Sequence, residues 1–108
     1  PEDPYDSWVH YEIDGNLHLN HGLSVCDVDD DGRQDILIGA RDGLIWYEPP
    51  PEQLMDPWLR WVISDLESSE TWAADVDGDG VNEILAIAPG HANELVVYKC
   101  EGDIRRGP

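Results

Sequence analysis

Nine residues recur almost unchanged. DVDDDGRQD starts at Asp27 and DVDGDGVNE starts at Asp75. Carboxylates packed this closely repel one another, so a chain that places them twice needs something to hold them together. The recurrence also fixes the scale of the fold. The two loops are offset by 48 residues, and the runs that follow them, DILIGA and EILAIA, keep that offset. Upstream, WVHYEI from Trp8 matches WLRWVI from Trp58 at an offset of 50, and LIWYE from Leu44 matches LVVYK from Leu95 at 51. Small changes of offset between matched segments are what loop insertions produce in a repeat. The chain therefore reads as two copies of one unit, residues 1–57 and 58–108.

Each unit has short β-branched and aromatic runs bounded by turn residues, and no segment has a useful helical period. Four strands per copy are expected. In the first they are residues 8–13, the GLSVCDV run from Gly22, DILIGA and LIWYE. In the second they begin at Trp58, Thr71, Glu83 and Leu95. DILIGA is continuously apolar, as in a strand buried on both faces. RDG at Arg41 makes a tight turn, and PPPEQLMDP is a stiff surface connector whose prolines cannot join a central ladder. The class is all-β, and repeats of four strands and about 50 residues suggest propeller blades. The chain opens on an outer strand and ends on a third one, so the copies are out of phase with the blades. Two blades cannot close a ring. Either more blades belong to a longer chain, or three to four copies assemble into an even ring of six or eight blades.

Composition narrows the partners. Twenty-four acidic residues against six basic ones give a formal charge of −18 and a pI near 4.1. Such a surface repels nucleic acid and anionic membranes and attracts cations. No apolar run approaches the roughly 20 residues of a membrane span. Two cysteines, Cys26 and Cys100, do not make a disulfide framework. Cys26, within an apolar run, reads as a small buried hydrophobe.

Within each loop the acidic side chains alternate. Asp27, Asp29 and Asp31 take positions 1, 3 and 5, with Gly32 at 6 and Asp35 at 9. Asp75, Asp77, Asp79, Gly80 and Glu83 repeat the pattern. A hard cation such as Ca2+ takes six to eight oxygens, and a glycine permits the turn that returns position 9 to the others. The carbonyls of Arg33 and Val81, at position 7, would each add an oxygen. Thiolate and imidazole are absent, which disfavours zinc and copper. An EF-hand needs flanking helices and a Glu at position 12, where this chain has Ile38 and Ala86 inside strand-like runs. The plainer alternative is a pair of Asp-rich turns held by side-chain-to-backbone bonds. That alternative does not account for eight carboxylates at matched positions.

DVDDDGRQDILIG and DVDGDGVNEILAI, supported by GLIWYEPP and the Trp-led strands, resemble FG-GAP or VCBS repeats, the blades of calcium-binding propellers such as the integrin alpha-subunit head. The resemblance covers both copies. It implies one Ca2+ per loop between the innermost strand and the next. The implied ligands are Asp27, Asp29, Asp31, Arg33 (carbonyl) and Asp35, then Asp75, Asp77, Asp79, Val81 (carbonyl) and Glu83. Glu83 departs from the usual Asp at position 9, which suggests a looser second site. Asp30, opposite Gly78, reads as a bystander charge. An extracellular setting is expected, although no signal peptide is visible in this chain.

Cation sites built from one short loop are usually structural, since no position is kept open for substrate. Among His10, His18, His21 and His91, the one worth weighing as a catalytic base is His21, which precedes the inner strand. Its counterpart is Ser69, so the repeat does not demand it. Trp46 and Trp61 read as packing between blades, whereas Trp72 is the candidate for stacking on a sugar. Two functions remain open. One is a calcium-stabilised module binding carbohydrate or protein. The other is part of a propeller enzyme acting on carbohydrate, as similar repeats occur in rhamnogalacturonan lyase and aldos-2-ulose dehydratase.

Overall fold

The computed structural model describes residues 8–17, 20–88 and 94–101. Among these there are seven strands and no helix: β1 (Asn20–Cys26), β2 (Asp35–Ala40), β3 (Gly43–Glu48), β4 (Leu59–Ser64), β5 (Thr71–Ala74), β6 (Glu83–Ala88) and β7 (Glu94–Tyr98). They form two antiparallel meanders, one ordered β1-β2-β3-β4 and the other β5-β6-β7. Among the described residues no closed barrel is formed. β4 pairs with β3, so the first sheet extends past the boundary between the two sequence copies.

The two faces of the first sheet differ because side chains alternate along each strand. One face, carrying Cys26, Leu37, Leu44 and Trp46, packs against Ala73, Ile84 and Ala86 of the second sheet, with Val28 plugging the same core. Trp46 is fully buried and lies beside Trp61, with ring centroids 6.4 Å apart. Both indoles therefore serve packing. The opposite face gathers Ile38, Ala40, Ile45 and Tyr47, with Leu17, Ile36, Trp58 and Val62 against them.

The sheets touch most closely where the chain passes between them. A Cβ on Gly39 would lie 1.9 Å from the Ser69 carbonyl oxygen, so only glycine allows this approach. The segment is held by Ser68 N donating to Ala40 O (3.0 Å) and by Ser69 N donating to Ile87 O (2.8 Å).

One expected strand is absent. Residues 8–13 form no strand, and Trp8 and Val9 are strongly exposed. An isolated strand cannot satisfy its backbone polar groups, and this segment pairs with no strand of either sheet. The chain that follows is anchored. Tyr47 Oη donates to Asp14 Oδ2 at 2.6 Å, and Arg60 Nη1 lies 3.4 Å from the same oxygen. The hydrogen bond from Tyr47 comes first among the influences that hold the Asp14 carboxyl below its ordinary range.

Two candidate cation-binding loops

Each acidic loop joins the first strand of its sheet to the second: β1 to β2, and β5 to β6. The local fold follows from hydrogen bonds that repeat between the copies. Position 1 gathers backbone amides. Asp27 accepts from Asp31 N (3.1 Å) and Gly32 N (2.8 Å), and Asp75 accepts from Gly78 N (2.9 Å), Asp79 N (3.1 Å) and Gly80 N (2.8 Å). Position 5 accepts from position 7, Arg33 N to Asp31 and Val81 N to Asp79. Position 9 reaches back across the loop, Asp35 accepting from Val28 N at 2.9 Å and Glu83 from Val76 N at 3.0 Å. These are Asx-type turns, in which short carboxylates replace backbone acceptors.

The glycines at position 6 have φ of +87° and +90°. Position 4 carries the same requirement, which sequence reasoning missed: Asp30 has φ +60° and Gly78 has +78°. Asp tolerates the left-handed region better than most residues, and this identifies the signal in hindsight. Asp30 is not a bystander. It accepts from Asn82 N at 3.0 Å, while Asn82 Nδ2 donates to Asp27 O at 2.6 Å, so the second loop is tied to the first.

The turns converge the carboxylates. Asp27, Asp29, Asp31 and Asp35 each offer an oxygen within 4.8 Å of the others, as do Asp75, Asp77, Asp79 and Glu83. Both clusters could hold a metal ion. The position-9 side chains make the fit specific. Asp35 and Glu83 are almost fully buried, and Asp35 Oδ1 and Glu83 Oε2 have no hydrogen-bond donor among the described residues. A buried carboxylate oxygen without a donor is costly unless a cation faces it. The all-oxygen donor set matches a hard cation.

The electrostatics agree for the first loop. Burial, then the charge of Asp35, pushes Asp29 up to about 7. Burial also pushes Asp35 up to about 6, against the Val28 amide and helped by the charges of Asp31 and Asp27. Burial acts on Asp27 in the same direction, but the amides of Gly32 and Asp31 outweigh it and hold its carboxyl below the ordinary value. The second loop differs. Lys99 Nζ donates to Asp77 and, at 3.0 Å, to Asp79. The hydrogen bond from Lys99 holds Asp77 down to about 2, and the two carboxylates push the ammonium up. An ammonium thus already pairs with two of the four carboxylates of this cluster. The counterpart of Lys99 in the first copy is Glu48, which contributes to raising Asp29 through a side-chain hydrogen bond and Asp35 through its charge.

The remaining candidates do not join these clusters. The backbone of His21 lies in β1, and its side chain lies outside the described residues, as do His18 and His91. His10 is exposed in the unpaired segment. Trp72 is about half exposed and lies over a shallow depression of about 290 Å3 lined also by Thr71, Leu85, Ile87 and Leu95. Cys26 is buried and Cys100 is exposed, and they form no disulfide. Among the described residues no helix is long and apolar enough to cross a membrane. No family model, curated protein or solved structure matches the chain.

Proposed function

We propose that the protein is a calcium-held pair of β-propeller blades of the FG-GAP/VCBS kind, working as a binding module for carbohydrate or protein in an extracellular setting. The observation that carries the cation reading is the buried carboxylate oxygen at position 9 of each loop, Asp35 Oδ1 and Glu83 Oε2, which has no donor among the described residues, on a side chain that clusters with three further carboxylates. Ca2+ suits the site because it accepts many oxygens in irregular geometry, whereas Mg2+ demands a near-ideal octahedron. Each ion would cross-link two strand ends and offset two of the negative charges in a chain of formal charge −18.

The enzyme alternative draws no support from the described residues. Asp29 and Asp35, the carboxyls held above their ordinary range, both belong to a cation cluster. Calorimetric titration with Ca2+, Mg2+ and Zn2+ tests the metal. Two calcium sites with weaker Mg2+ binding and no Zn2+ preference are expected. No heat with Ca2+, or no protection from proteolysis by it, would overturn the reading.

A further inference from the structure

We infer that the open face of the second sheet is a docking surface for a second copy of this chain, which presents the outer face of its first sheet. The repeat itself points to this contact, because the protein already contains one such interface and carries both halves of another.

A rung of side chains crosses the first sheet, Ser24–Leu37–Trp46–Trp61, and packs toward the second sheet. The matching rung in the second sheet is Trp72–Leu85–Val97. The first rung is covered, with Ser24 at 4% and Leu37 and Trp46 at 0% exposure. In the second, Trp72 is 55% and Val97 53% exposed, and neighbouring Leu95 is 73% exposed where its counterpart Leu44 is at 0%. The apolar character is kept while the cover is missing. Indole bulk has moved from the third strand to the first, so the rung exchanges a large and a small residue. Contiguous exposed apolar surface of this kind marks an interaction site.

The complementary half is on the same chain. Thr71, Ala73, Ile84 and Ala86 form the second sheet's contact with the first. Their counterparts, Leu23, Val25, Ile36 and Ile38, lie on the outer face of the first sheet; Ile38 is already buried in the chain's own cluster, and the open part is its β1 edge, where Leu23 is 67% and Val25 51% exposed. The two outer faces are different surfaces, so the contact is head-to-tail and each copy keeps one free face for the next.

The same placement gives residues 8–13 an edge. In the existing interface, β4 pairs with β3 of the first sheet before the chain crosses to β5 of the second. The matching segment before β1 would pair with β7 of the other copy, setting Tyr11 beside Val97 as Trp61 sits beside Trp46. Strand addition to an open edge is a general mode of recognition. The new interface is not a strict replica. Ile87 stands where Gly39 admits the Ser69 carbonyl, so the approach at that end must be wider.

The test uses sedimentation velocity on the full chain with Ca2+ present, over concentrations to about 100 µM, enough to reveal micromolar association. The wild type is expected to exceed its 12.1 kDa monomer mass in a concentration-dependent way. Val97→Glu, blocking one face, and Val25→Glu, blocking the other, are each expected to be monomeric, with wild-type far-UV circular dichroism as the check on folding. Mixed one to one, the two variants are expected to form a dimer and nothing larger, because each supplies the face the other lacks. A wild type that stays monomeric across the range overturns the inference and leaves the face to further repeats or another protein. A mixture that stays monomeric overturns the head-to-tail geometry. If either variant is misfolded, Leu95→Lys and Leu23→Lys replace the pair and are judged by the same outcomes.

Discussion

The two acidic loops share a backbone and differ in what the third strand brings to them. In the first, Glu48 at the end of β3 adds negative charge to a cluster already short of counter-charge. In the second, Lys99, just past β7, contributes an ammonium bound to Asp77 and Asp79. Position 9 differs too, Asp35 against the longer Glu83. The turn geometry comes from amide-to-carboxylate hydrogen bonds and positive-φ residues, and both copies preserve it. Cation affinity comes from the net field at the cluster, and there the copies diverge. The first loop is built to need a cation. The second already has an ammonium on two of its four carboxylates, with which a cation would compete.

The largest expected effect is removal of the ion. At a hundredfold excess over Kd a single site stabilises a folded protein by about 2.7 kcal/mol, and a chain of this size shifts its Tm by about 4–8 °C per kcal/mol. A chelator should therefore lower the Tm by about 10–20 °C, read by calorimetry, with most of the loss following the first loop. Asp27→Asn should abolish one binding event and reproduce most of that drop, whereas Asp75→Asn should reproduce less. Equal drops would erase the distinction between the loops.

Next comes affinity. Lys99→Glu makes the second loop resemble the first and should tighten its calcium binding at least about tenfold, equivalent to about 1.4 kcal/mol. Calorimetry would show two separated sites merging toward one. An unchanged second site would mean that Lys99 swings aside at no cost.

The pH response should differ in sign with and without the ion. Asp29 and Asp35 are raised from 3.8 to about 7 and about 6 in the folded, cation-free protein. Between 3.8 and those values the folded state holds more protons at these two groups than the unfolded one, so the stability they contribute is fully present below about 3.8 and is lost as pH rises through 6 to 7. With calcium the ligands must be deprotonated, and stability should rise over the same range. Thermal melts at pH 5 and pH 7.5, with and without calcium, check the crossing. A Tm that rises with pH in chelator would contradict it.

The smallest effect belongs to position 4. Asp30→Gly relieves a positive φ but loses the acceptor for Asn82 N, two contributions of about 1 kcal/mol each and opposite sign. The Tm should move by a few degrees at most, and the first site should still bind. Loss of calcium binding would make Asp30 part of the site.

Much of this was legible in the chain. Of the eight strands expected from the repeat, seven form and only residues 8–13 do not, and alternation at positions 1, 3, 5 and 9 named both clusters. Local hydrogen bonding explains that success, since a turn held by its own side chains is encoded within nine residues. Asp30 went astray because its partner, Asn82, lies 52 residues away. Residues 8–13 have strand composition, but composition supplies no edge to pair with.

The sequence by itself determined the repeat, the all-β class and the convergence of eight carboxylates, because each depends on periodicity or on contacts within a few residues. The tertiary structure decided the rest. It showed which face of each sheet is covered and that Lys99 closes on the second loop. It also showed that the position-9 oxygens of Asp35 and Glu83 are buried without a donor. Burial and charge at a point are sums over segments that meet only in the folded chain.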